Sequence, residues 1–189
     1  MNPTNVSLLI SSVSLILNLS VSAQENPKAL SQDESSLEKV IGEANESSKN
    51  QEKLGTSLLG GFCNVKNSEK IRVKCALALG KMRYAGAIKK LIEFIELRDS
   101  TARISEPSAE LLYPCVKALM EIGIEVVPSI INAYLVEDNE TRILLLRSVL
   151  RANSIRETAA RYIQGVATEI KEESARIKMD GLVKLLREK

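Results

Sequence analysis

The 189-residue chain contains no histidine and no tryptophan, and it has six aromatic residues in all. Without histidine there is no Ser/His/Asp or Cys/His triad, no zinc site that needs an imidazole and no histidine-ligated haem. So few rings argue against a base-stacking nucleic-acid surface and against an aromatic-lined sugar cleft. Charge of one sign is scarce too: 26 Lys+Arg against 24 Asp+Glu leave a formal +2, too little to recruit polyanions by a global field. What is plentiful is apolar residues, at 44%, near the globular average and enough for a packed core.

No charged side chain precedes Glu25. Val6 to Ala23 is apolar but interrupted by Ser7, Ser11, Ser12, Ser14, Asn18, Ser20 and Ser22, a poor match to the roughly 20 apolar residues of a spanning helix. The segment reads as a secretory signal over residues 1–23, with its apolar region around Leu8–Leu19. Val21 and Ala23 at −3 and −1 suit a pocket for small side chains, which places the cut before Gln24. Its amino-terminal region lacks Lys and Arg, so an uncleaved anchor is the alternative, and any membrane contact would run through that segment. No cysteine follows the small residues, as lipid anchoring would need.

Residues 24–53 are rich in Ser, Glu, Asn, Gln and Lys, with seven acids against four bases. Too little apolar surface is present to offset chain entropy, so a disordered spacer or a lone solvated helix is expected. Leu37, Val40 and Ile41 have the i, i+3, i+4 spacing of a short amphipathic helix. The remainder, 54–189, carries 22 bases and 17 acids, a net +5.

That remainder repeats. Cys75-Ala76-Leu77-Ala78-Leu79 and Cys115-Val116-Lys117-Ala118-Leu119 match at an offset of forty. With one residue deleted, Ile88, Leu91, Ile92 and Ile95 fall on Val127, Ile130, Ile131 and Tyr134. In a third unit Leu146, Val149 and Leu150 take the places of Cys115, Ala118 and Leu119, while Ala159, Tyr162 and Ile163 continue its second helix. An insertion at Arg98–Pro107 lengthens the first period, and a fourth, partial unit is expected from Arg176. Within each unit the apolar period is helical: Ile71, Cys75, Ala78, Leu79 and Met82 form one stripe and Ile88, Leu91, Ile92 and Ile95 the next. Pro128 falls in a first turn, and Pro114 either kinks its helix or starts it. Leu58, Leu59, Phe62 and Val65 would cap the first repeat after a break at Gly60-Gly61. At the other end Ala175, Met179, Leu182, Val183 and Leu186 form the inner stripe of a capping helix. We expect an all-α domain of seven to nine helices of 10–17 residues, packed as antiparallel pairs, with no sheet.

The string CALALGKMRYAGAIKKLIEFIE and the spacing Ala118-Leu119, Val126-Val127-Pro128, Ile131 resemble HEAT-type helical repeats. The third period, near thirty residues, is similar to the short phycobilisome-lyase-like subclass. Ala78-Leu79-Gly80 keeps that subclass's signature; Ala118-Leu119-Met120 and Val149-Leu150-Arg151 depart from it. Asn139-Glu140-Thr141-Arg142 and, with a slip, Asn67 to Arg72 fit its Asp/Asn-then-Arg start. The resemblance covers Asn67 to Lys189 and implies a solenoid of three to four repeats, stacked because one pair cannot bury both of its faces. Some relatives attach bilins and others act on alkylated DNA bases, but no dedicated residue set for either stands here. An iron hydroxylase of HEAT type, which needs His-Glu pairs, is excluded by the missing histidine.

Few residues carry chemistry. Cys75 and Cys115 occupy equivalent inward positions, and stacked helices about 8–10 Å apart exceed a disulfide's reach. They read as small core residues, while Cys63 either bonds to one of them or stays a free thiol. No cofactor, metal or catalytic set is expected. Arg147, Arg151 and Arg156 are the candidates for groove binding, where convergence would hold an acidic peptide, a phosphate or an anionic polymer. The plainer alternative is solvated arginines balanced by Asp138, Glu140 and Glu157, and Arg142 reads as a structural cap. The expected function is a non-enzymatic exported scaffold, periplasmic or extracellular, binding another protein rather than nucleic acid. The alternatives are an enzyme of the bilin-lyase-like class or an anionic-polymer binder. Amino-terminal sequencing of the exported chain is expected to start at Gln24; a start at Met1 would show the segment retained.

Overall fold

The computed structural model describes Ser36, Glu38, Lys39 and residues 51–102, 108, 112–169 and 171–188. Residues 1–23, read as a signal, the stripe Leu37/Val40/Ile41 and positions 103–107 lie outside the described residues. Among the described residues from 51 on, eight α-helices have defined bounds: α1 Gln51–Cys63, α2 Glu69–Lys81, α3 Ile88–Glu93, α4 Pro114–Ile122, α5 Val127–Val136, α6 Glu140–Leu150, α7 Arg156–Ala167 and α8 Glu173–Arg187. The described residues contain no strand, so the chain is all-α there.

Packing follows chain order in two tracks. Helix α2 lies against α4 and α4 against α6; α3 lies against α5 and α5 against α7. Helix α1 covers α2 at one end, and α8 covers α7 at the other. The two stripes read from the first unit are buried throughout, from Ile71 to Met82 and from Ile88 to Ile95. One apolar cluster runs from Leu54 on α1 to Leu186 on α8, and no polar or charged residue among the described ones is fully buried. Burial without directional partners makes fit between helices the main determinant of the packing.

Two glycines set the geometry. A Cβ built on Gly80 falls 2.5 Å from the Cα of Ala118, so α2 and α4 touch backbone to backbone. Gly123 has φ +97°, a left-handed value that side chains rarely adopt, and it turns the chain by 108° between α4 and the segment Ile124–Val136. Pro114 and Pro128 both sit in first turns, where no helical hydrogen bond is lost. Pro114 therefore starts a helix and does not kink one.

Several expectations need correction. Gly60 and Gly61 do not break the chain: α1 runs through both to Cys63. Burial of Leu54, Leu58 and Phe62 on one stripe outweighs the roughly 1 kcal/mol per glycine that helix propensity costs. Val65 lies beyond that helix and is 73% exposed, so it caps nothing. Helix α3 has six residues and α4 nine, shorter than expected, because the turn Ala85–Ala87 tightens to 3-10 geometry and Pro114 delays α4. The stripe of α8 is buried at Met179, Leu182 and Leu186, as its spacing indicated. Yet α8 packs on α7 and α5, not beside α6, where a regular fourth unit would place it.

The Gly80 contact gives a sharp test. Gly80→Ala is expected to destabilise by about 1–3 kcal/mol in urea unfolding, because the added methyl meets backbone. Gly181→Ala, with nothing within 4 Å of the new Cβ, is expected to stabilise by about 0.5–1 kcal/mol.

Candidate functional site

The arginines of the third unit fall into two groups. Helix α6 begins at Asn139, whose Oδ1 accepts from the Arg142 backbone N–H at 3.1 Å and closes the first turn. That turn fixes the base of Arg142, whose guanidinium reaches back to the carboxyl ends of two earlier helices. Its Nε donates to Glu137 at 2.6 Å, its Nη2 to the Ile92 carbonyl at 3.1 Å, and its Nη1 to the Glu93 carbonyl and to Glu96 at 3.3 Å. Carbonyls at the carboxyl end of a helix carry partial negative charge, so one planar cation serves two of them together with the neighbouring carboxylates. Arg142 is a structural staple, as its place before the third helix pair indicated.

Arg72 does related work in the first unit. Its Nε donates to the Phe62 carbonyl at the end of α1, at 3.0 Å. Its guanidinium carbon lies 4.9 Å from the Phe94 ring centre and 5.9 Å from that of Phe62, and those two rings meet edge to face at 5.5 Å. Sequence reasoning placed Arg72 in a repeat start but did not pair it with the two phenylalanines. Phe62 and Phe94 are the chain's only phenylalanines, 32 positions apart, and nothing in their spacing marks them as partners.

The three arginines read as groove residues are placed differently from one another. Arg147 donates through Nη2 to the Tyr134 hydroxyl at 2.9 Å, with its guanidinium carbon 5.5 Å from that ring's centre, while its Nε is enclosed without a partner. A buried tyrosine hydroxyl needs a partner, and that requirement was the signal for this contact. Arg151 ends α6 and is exposed; Arg156 opens α7 and is half-buried. No hydrogen bond or ion pair of either side chain joins it to another described residue. The acids expected to balance them are engaged elsewhere or stand apart. Glu157 pairs with Arg161, and Asp138 lies 4.0 Å from Lys178. Arg147 and Arg151, one turn apart, share a face of α6; the structure shows no contact that draws Arg156 to them.

Cys63, Cys75 and Cys115 are all free thiols. Desolvation pushes Cys75 and Cys115 up to about 12, so both remain protonated and inert at neutral pH. Burial also raises the half-buried Cys63, against the opposing pull of nearby Lys90 and Arg72. A shallow cleft of about 460 Å³ opens between α7 and α8, lined by Gln164, Ala167, Thr168, Arg176, Asp180 and Val183. No group of three or more His, Cys, Asp or Glu among the described residues is placed to hold a metal. No protein-family model matches the chain, and neither a curated protein nor a solved structure matches it.

The staple generates a pH prediction. The Arg142 side-chain hydrogen bond, followed by the backbone N–H of Asn139, lowers the Glu137 carboxyl below its ordinary 4.5. A lowered carboxyl stabilises the fold above its unfolded value and loses that contribution as pH falls through the folded one. Glu137→Gln is expected to cost about 1 kcal/mol at pH 7. Its difference from the parent in urea should stay level down to about pH 5 and close below pH 4.

Proposed function

We propose that the chain is an exported, non-enzymatic helical-repeat module of the HEAT type that binds another protein. The observation that carries this reading is the succession of packing. Helices read from sequence as first members of their units, α2, α4 and α6, follow one another, as do the second members α3, α5 and α7. Stacking of that kind presents an extended surface held by its neighbours on either side, and such surfaces bind chiefly by shape. The Asn139 cap with Arg142 behind it, and Arg72 at the corresponding start of α2, support the same family likeness. Export rests on the sequence of residues 1–23, and the acidic segment 24–53 would give the module reach.

A second reading has one observation in its favour. Arg151 and Arg156 carry no ion pair to a described residue, so an anionic polymer is an alternative occupant of that side. The mature chain, residues 24–189, used as bait on the extracytoplasmic fraction, separates the two. Stoichiometric recovery of a protein whose binding changes less than about threefold from 50 to 200 mM salt supports the module. A steep loss over the same range, with polymer recovered, supports the polymer reading. Recovery of cytosolic proteins or nucleic acid alone would overturn export.

A further inference from the structure

Repeat register assigns a role to one face of α6. Leu146, at the place of Cys75 in the first unit, puts Leu144, Arg147 and Arg151 at the places of Val73, Ala76 and Gly80. In α2 those three positions are buried, and Gly80 touches α4, so this is the side on which one first helix receives the next. In the second unit the same places hold Tyr113, the half-buried cap of α4, with Val116 and Met120 inside the helix, buried and half-buried, and α6 packs as the next first helix. On α6 the series stops. Helix α8 goes chiefly to α7, with a smaller contact to α5, and Leu144 is left 60% exposed one turn before the half-buried Arg147 and two turns before the exposed Arg151. Met120 shows that a long unbranched side chain at the place of Arg151 is compatible with a packed neighbour.

From this we infer that the open side of α6 docks an amphipathic helix of a partner protein. Its carboxylates would meet Arg147 and Arg151, and an apolar side chain would cover Leu144, in the position of a next first helix. The inference rests on the protein-binding reading and names its surface and partner chemistry. A face that pairs a solvated leucine with the exposed Arg151 and the half-buried, Tyr134-bonded Arg147, neither with an acidic partner among the described residues, is complementary to carboxylates set about one turn apart. The chain's own acidic segment is a poorer occupant, because Glu38 is held by Lys74 on α2 at 2.6 Å, two helices away along that row.

The test uses the mature chain and a labelled 18-residue helical peptide with one stripe of leucine and two glutamates four residues apart. Its lysine-for-glutamate counterpart and a peptide of residues 24–50 are competitors. The acidic helix is expected to bind at low salt at least about tenfold tighter than the lysine version. Arg151→Glu should weaken it about tenfold and Lys117→Glu, an equal charge change at an exposed position of α4, less than about twofold. Leu144→Ser should weaken it without altering the salt slope. Circular dichroism of each variant confirms that α6 remains folded. Absence of binding at about 1 mM, or equal loss with Lys117→Glu, overturns the inference. Tighter binding by the 24–50 peptide overturns it in favour of the chain's own segment. A natural partner captured equally by the parent, Arg151→Glu and Leu144→Ser would refute this surface while leaving the module reading intact. Failure to capture any protein removes the module reading itself.

Discussion

The contact between Gly80 and Ala118 is the constraint on which the rest of the packing depends. Two helix backbones meet there with no side chain between them, at a distance that a single added methyl would violate. Close approach of α2 and α4 brings Cys75, Ala76, Ala118 and Leu119 into full burial, and the first members of the pairs line up from that point. Where the row reaches Met120 and then Arg151, the equivalent position grows in length and finally gains charge. The helices follow that gradient: a tight contact, a looser one, then an open side.

Direction comes from the ends of helices and not from the core. Apolar burial is strong but nearly indifferent to orientation, and no polar or charged residue among the described ones is fully buried. Arg72 and Arg142 supply it. Each donates to backbone carbonyls at the end of an earlier helix: Arg72 ties α2 to α1, and Arg142 ties α6 to α3. Arg147 follows a related logic, with Tyr134 as its anchor. Among the described residues the same chemistry leaves Arg151 and Arg156 without a hydrogen bond or ion pair, although the third unit keeps the spacing of the first two.

Much of this was legible from spacing. The stripes Ile71 to Met82 and Ile88 to Ile95, the inner stripe of α8 and the cap at Asn139 all lie where period and capping chemistry put them. These are local properties, governed by residues within one or two turns. Gly60-Gly61 misled because propensity is a weak force beside the burial of Leu54, Leu58 and Phe62. The arginine set was legible as a set, through its spacing, but not as a geometry. Whether Arg147 turns toward Tyr134, and whether Glu157 answers Arg161 or another base, depends on rotamers and neighbours that no periodicity encodes.

The sequence by itself determined the helical class, the repeat register and the identity of the buried stripes, because periodicity and capping act over short stretches of chain. It also determined which chemistries are excluded, since a chain without histidine cannot use one. Only the tertiary structure decided where the repeat stops. The amphipathic pattern of α8 fits either α6 or α7 equally well, and hydrophobic burial does not distinguish between apolar surfaces of similar size. The choice of α7 is a matter of shape and chain path, and it leaves Leu144 and Arg151 open to solvent.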